Sequence, residues 1–131
     1  MKWFQLPLLS PSQRRGQYFE QLALQQLRRK GLKLVTQNYR CRGGELDLVM
    51  QDQRVLVFVE VRYRNRAEFG SGVESVSRIK QRRLIHAAQH FLLHHPEYTS
   101  CICRFDVVGV SVTDNTPLFD WVTNAFDCSS G

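Results

Sequence analysis

No apolar run in the chain approaches the roughly 18–20 residues that a membrane helix needs, so a helix-threaded membrane protein is not expected. The start, Met1 to Leu9, offers Trp3, Phe4, Leu6, Leu8 and Leu9, but Gln5 and Pro7 interrupt it. Arg14 and Arg15 follow without a small-residue cleavage site, which argues against a secretory signal. Cysteine is scarce: Cys41, Cys101, Cys103 and Cys128 contain no Cys-x-x-Cys spacing. Cys101 and Cys103 flank one residue of an expected strand, poor geometry for zinc or a disulfide. Reduced thiols in a cytoplasm fit this usage. Repeats, low-complexity tracts, a Walker loop, a dinucleotide fingerprint and a Ser-His-Asp order are all missing. Basic residues are almost lacking from positions 84–131, where Arg104 stands against 5 acids.

What is there is a chain of 131 residues, 43% hydrophobic and 23% charged, the usage of one globular domain. Residues 1–9 and 127–131 read as flexible ends. Residues 1–83 hold 17 of the 18 bases and 7 acids, net +10, within a whole-chain charge of +6. Fourteen bases are Arg, whose planar fork matches phosphate oxygens. Charge alone is equally compatible with a polyanion partner and with a merely soluble basic surface.

Ser10-Pro11-Ser12-Gln13 supplies a cap, a proline at the first helical position and a Gln three residues after the cap. Gly31 is a natural stop after Arg28, Arg29 and Lys30. Phe19, Leu22, Ala23 and Leu27 recur at helical spacing, and Glu20 borders that apolar stripe. Strands are expected at Leu34 to Arg40, Glu45 to Met50 and Arg54 to Arg64, the last two closed into a hairpin by Asp52-Gln53. A loop from Asn65 to Glu74 contains Gly70 and Gly72. Ser75 or Ser77 caps a second helix running to about His94, with Leu84, Ile85, Ala88, Phe91 and Leu92 inward and Pro96 as its stop. Cys101 to Val112 and a short Leu118 to Val122 complete the order α-β-β-β-α-β-β. A strand, a helix and a strand imply a right-handed crossover, hence an α/β fold with a mixed sheet flanked by helices.

With a two-residue Asp52-Gln53 loop, Val49 faces Leu56 and Asp47 faces Phe58. Glu45, Asp47 and Val49 then share a face with Leu56, Phe58, Glu60, Arg62 and Arg64, and Leu46, Leu48 and Met50 lie opposite. Asp47 and Glu60 become diagonal neighbours, roughly 7–8 Å apart and within joint reach of one ion. Three acids crowd this face, and each raises its neighbours' pKa unless a cation is present. A divalent cation would relieve them, polarise a phosphodiester and activate water. The same acids also read as edge-strand charges paired with Arg62 and Arg64.

Gly44-Glu45-Leu46-Asp47-Leu48-Val49, followed by Phe58-Val59-Glu60-Val61-Arg62-Tyr63-Arg64, resembles the core of the PD-(D/E)XK, restriction-endonuclease-like nuclease superfamily. The chain is more closely similar to the small bacterial YraN family, which resembles Holliday-junction resolvases. Gly16-x-x-x-Glu20-x-x-Ala23, Asn38-Tyr39-Arg40, Arg104-Phe105-Asp106-Val107-Val108 and Asn124-Ala125-Phe126 extend the likeness over most of the chain.

This resemblance implies a restriction-endonuclease-like domain that hydrolyses DNA phosphodiesters, of branched or damaged DNA, in repair or recombination. Asp47 and Glu60 match the metal-binding acids for Mg²⁺ or Mn²⁺, and Glu20 matches a helical Glu that reaches the same centre. Arg62 falls where the superfamily usually has Lys; it stays protonated and supplies only electrostatic stabilisation. Phe19 replaces the Gly common before the helical Glu. Glu45 reads either as an acid supporting the metal ligands from behind or as a partner of Arg42 or Arg64.

Arg14, Arg15, Arg64, Arg78, Lys80 and Arg83 are the candidate nucleic-acid contacts, with solvated surface as the competing reading at both helix starts; the family resemblance favours Lys80 as a backbone contact. The Gly70–Gly72 loop reads as a strand embrace or a plain connection, and Phe69, Tyr63 and Tyr39 as base-stacking or packing residues. His86, His90 and His94, spaced by four, lie opposite the apolar side and read as a solvated face. The alternatives to a nuclease are a non-catalytic nucleic-acid-binding module and an adaptor whose acidic C-terminal part meets a protein. No membrane partner is expected; homodimer formation is left open.

Overall fold

The computed structural model describes residues 10–65 and 76–127. Outside them lie residues 1–9 and 128–131 of the expected flexible ends, the Gly70–Gly72 loop and Phe69.

Helix α1 spans Pro11–Arg29 and begins as its sequence dictates. Ser10 Oγ accepts the Gln13 N–H at 3.2 Å, and Gln13 Oε1 accepts the Ser10 N–H at 2.9 Å. That reciprocal pair satisfies two backbone donors that a helix start leaves without partners. Lys30 closes the helix, and Gly31 takes φ 98°, a left-handed conformation that favours glycine. Phe19, Ala23, Leu24 and Leu27 are buried.

The strands are β1 (Lys33–Cys41), β2 (Gly44–Asp52), β3 (Val55–Tyr63), β4 (Ile102–Thr113) and β5 (Thr116–Phe126), with helix α2 (Arg78–His94) between β3 and β4. They form one sheet in the order β1-β2-β3-β4-β5. Neighbours are antiparallel except β3 and β4, which run parallel because α2 carries the chain back between them. The expected element order and mixed sheet are thus the observed ones.

Two hydrophobic clusters cover the sheet. One joins Val49, Leu56, Phe58 and Phe105 to Leu84, Ala88 and Phe91 of α2. The other joins Leu48, Met50, Val57, Val59 and Val108 to Ala23, Leu24 and Leu27 of α1. Each such fully buried side chain contributes about 1.5–3 kcal/mol by leaving water.

Three expectations change. The β2–β3 loop is Gln53-Arg54, not Asp52-Gln53: Asp52 pairs with Val55, and Gln53 takes φ 56°. Arg104 explains it, since its Nη2 lies 3.4 Å from Asp52 Oδ2 and ties that residue to the sheet. The register therefore moves by two residues, which keeps every β2–β3 pairing on its expected face. Leu46 nevertheless joins the cluster under α2 with Val49, not the one containing Leu48. Strict alternation stops there, where β2 leaves β3; pairing ends at Leu48↔Val59. Finally, β5 is 11 residues long instead of the short Leu118–Val122. Asp114 and Asn115 both take positive φ, 51° and 59°, in a tight two-residue turn that extends pairing from Thr113↔Thr116 outward. Among the described residues, no helix is long and apolar enough to cross a membrane.

Candidate functional site

Asp47 and Glu60 are the first residues beyond the last β2–β3 pair, Leu48↔Val59, and the two-residue register change brings them nearer to a facing position than the expected diagonal one. Asp47 Oδ2 accepts the Val61 N–H at 2.8 Å, replacing the carbonyl that a continued ladder would supply. The carboxyl groups of Asp47 and Glu60 lie close enough that each alters the other's titration. Glu60 is 8% exposed. Burial, followed by the Asp47 charge, pushes its pKa to about 8. Burial also raises Asp47, against the Val61 N–H, the neighbouring Glu60 carboxyl and Lys80, which pull it down. The two titrate as a pair short of positive charge.

That deficit is what a divalent cation would fill, and Mg²⁺ is commonly held by one or two carboxylates with water and phosphate oxygens. The donor set fits. Among the described residues, however, no group of three or more His, Cys, Asp or Glu side chains is arranged to hold a metal. Glu20 stands beside the pair without becoming a third ligand. Its pKa is pushed to about 7, by burial first and by Asp47 second, while an Asn38 hydrogen bond and Arg40 lower it. Asn38, the side chain that lowers Glu20, takes φ 54°, a conformation Asn tolerates. Sequence reasoning gave Asn38 no role; an Asn before Tyr39-Arg40 in the weakest expected strand was the available signal.

Lys80, in the first turn of α2, places Nζ 3.6 Å from Glu60 Oε2. Arg62 also lowers Glu60, ranking behind Lys80 there. Beside the pair, Arg40, Cys41, Gly43, Gly44, Glu45, Lys80 and Arg83 line a cleft of about 380 Å³. Glu45 pairs with Arg40 at 3.3 Å, correcting the expected Arg42 or Arg64. The register explains it, because Arg40 lies directly opposite Glu45. Arg14 and Arg78 are exposed at the two helix starts. Arg15 sits 4.6 Å over the Tyr63 ring, which also meets Phe19, and the Arg64 N–H donates to Val110 O at 2.8 Å.

The histidines are not simply a solvated face. His86 Nε2 hydrogen-bonds Arg42 O at 2.9 Å, and His90 Nδ1 hydrogen-bonds the Tyr39 hydroxyl at 2.5 Å. α2 lies close enough to β1 for the far side of its helical wheel to reach that strand and its turn. Asp106 was another omission. Its fully buried carboxylate accepts from Arg104 Nε at 3.0 Å, Trp121 Nε1 at 2.9 Å and the Asn124 N–H at 2.9 Å. It welds β4 to β5 at the bulge between Phe105 and Val107.

Comparison with known proteins agrees with the YraN resemblance. The sequence profile described as "Uncharacterised protein family UPF0102" matches residues 19–110. A UPF0102 protein of Xanthomonas campestris is 51% identical over 119 residues, covering 88% of this chain and 96% of the relative. One from Alcanivorax borkumensis is 45% identical over 122 residues, covering 92% and 98%. Another from Pseudomonas putida is 47% identical over 125 residues, covering 94% and 100%. With the profile spanning both acids and the cleft, and relatives aligned over nearly their full lengths, this chain belongs to the UPF0102 family.

Proposed function

We propose that the protein is a metal-dependent nuclease acting on DNA phosphodiesters, branched or damaged DNA foremost, in the cytoplasm. The observation that carries this reading is the acidic pair of buried Glu60 and half-buried Asp47 at the point where the β2–β3 pairing ends, with Asp47 held by the Val61 N–H. The sequence resemblance to the restriction-endonuclease-like superfamily supports it. Asp47 and Glu60 hold Mg²⁺ or Mn²⁺, which when bound polarises the phosphodiester and lowers the pKa of water. Val61 orients Asp47 through its N–H. Glu20, half-buried and raised to about 7, is poised to accept a proton near neutral pH. Arg62 serves by offsetting negative charge on the phosphate.

The competing reading is a nucleic-acid-binding module without catalysis. Arg62 in place of Lys, and the lack of a three-ligand metal group among the described residues, favour it. Duplex, flap, single-stranded and four-way DNA, incubated with Mg²⁺ or Mn²⁺, separate the two. Cleavage lost in Asp47→Ala supports the nuclease; equal cleavage by that variant refutes the site. Binding that weakens steeply with salt, without cleavage, transfers the conclusion to the module. Absence of both leaves the adaptor. Arg62→Lys on the same substrates reads what the arginine costs in turnover.

A further inference from the structure

We propose that the cleft bounded by Arg40, Lys80 and Arg83 is a phosphate-binding subsite, coupled through Lys80 to cation binding at Asp47 and Glu60. The ligand is a nucleic-acid backbone phosphate. This deepens the proposed function, and depends on it only for the metal.

Three cations from two elements enter one cleft of about 380 Å³, and Glu45 is the single acid lining it among the described residues. Lys80 and Arg83 project from the first two turns of α2, and the first turn holds no acid. Cations near a helix N-terminus are unfavourable, and an anion in the cleft relieves them and the helix dipole together. The far wall is stiff. A Cβ on Gly44 would lie 2.3 Å from Arg83 O, so backbone meets backbone there. His86 pins the adjoining turn through Arg42 O at 2.9 Å.

Lys80 joins the two halves. Its Nζ is 3.6 Å from Glu60 Oε2. A divalent ion on Asp47 and Glu60 repels that ammonium and takes over its partner's charge. Lys80 is then released toward the cleft, where a phosphate oxygen replaces the carboxylate. Metal and phosphate each favour the other's binding, and linkage makes the effect reciprocal. Arg40 is constrained less, by one exposed pair with Glu45.

The test is binding, read apart from cleavage, by the full chain for inorganic phosphate and for a short single-stranded oligodeoxynucleotide. Calorimetry or fluorescence anisotropy is run at matched ionic strength with Ca²⁺, Mg²⁺ or neither. Arg83→Ala and Arg40→Ala are expected to weaken both ligands by about tenfold, the loss of one charge-assisted contact. Divalent ion should raise wild-type affinity several-fold, and Lys80→Met should abolish that dependence. Arg28→Ala, at the other end of α1, should bind as wild type does. The subsite is refuted if Arg28→Ala weakens binding as much as Arg83→Ala, because net charge then explains everything. It is equally refuted if phosphate binds the three cleft variants normally. Oligonucleotide loss without phosphate loss would assign the cations to a longer backbone track. Affinity indifferent to divalent ion, or coupling that survives in Lys80→Met, removes the lysine link. Absence of DNA cleavage alone would defeat the nuclease reading and leave these binding results standing.

Discussion

The Asp47 carboxylate accepts the Val61 N–H at 2.8 Å, so an acidic side chain stands where a strand carbonyl would. Asp47→Ala strands that N–H, whereas Asp47→Asn keeps an acceptor and removes the charge facing Glu60. The alanine variant should lose about 1–3 kcal/mol, the cost of a buried donor without a partner. The asparagine variant should be at least as stable as wild type at pH 8 and still inactive on DNA. Urea unfolding of both variants checks this; equal stabilities would show that the Val61 contact contributes nothing.

Glu60 and Glu20 bind protons more tightly folded than unfolded, with pKa values of about 8 and about 7 against 4.5. The folded state therefore carries more protons in between, and stability falls as pH rises. The contribution is whole below about pH 4.5 and gone above about pH 8. From pH 5 to pH 8 the buried pair should cost roughly 1–3 kcal/mol. Thermal unfolding across this range should show the decline, flattened in Glu60→Gln. Mg²⁺ or Mn²⁺ should restore Tm most at pH 8, because the ion favours the deprotonated pair.

Asp106→Ala leaves the Arg104 guanidinium, the Trp121 indole and the Asn124 N–H without their common acceptor. Breaking one side of such a buried ionic network costs about 3–5 kcal/mol. Tm should drop steeply, and hydrogen exchange should accelerate first in β5. A loss under about 1 kcal/mol would mean that water replaces the carboxylate.

Gly44→Ala and Gly16→Ala should move in opposite directions. A Cβ at Gly44 meets Arg83 O at 2.3 Å, and backbone must shift to accept it. A Cβ at Gly16 meets nothing within 4 Å in the body of α1. Gly16→Ala should therefore stabilise by about 1 kcal/mol through helix propensity and unfolded-chain entropy. Gly44→Ala should destabilise by about 1–3 kcal/mol as an overpacked contact does. Matched thermal melts of the two variants decide it.

Local signals were readable where local chemistry decides. The Ser10–Gln13 box, Gly31, the Ser77 cap and the Val-rich strands each act within a few residues. They sufficed for the element order and for two acids on adjoining strands. The Asp52-Gln53 turn misled because Asp favours turns, yet Arg104, 52 residues away, holds Asp52 in the sheet. Glu45 was paired with the wrong arginine for a related reason, since β1 was the least distinct strand and its register invisible.

The sequence by itself determined which residues alternate across the hairpin. The period of two survives the two-residue register change, so Asp47 and Glu60 share a neighbourhood either way. Only the tertiary structure decided that Asp47 is held by the Val61 N–H, that Glu60 is buried and that Glu60 meets Lys80. Those facts depend on where β2 separates from β3 and how α2 lies against the sheet. Both are set by packing between segments far apart in the chain, which no local spacing encodes.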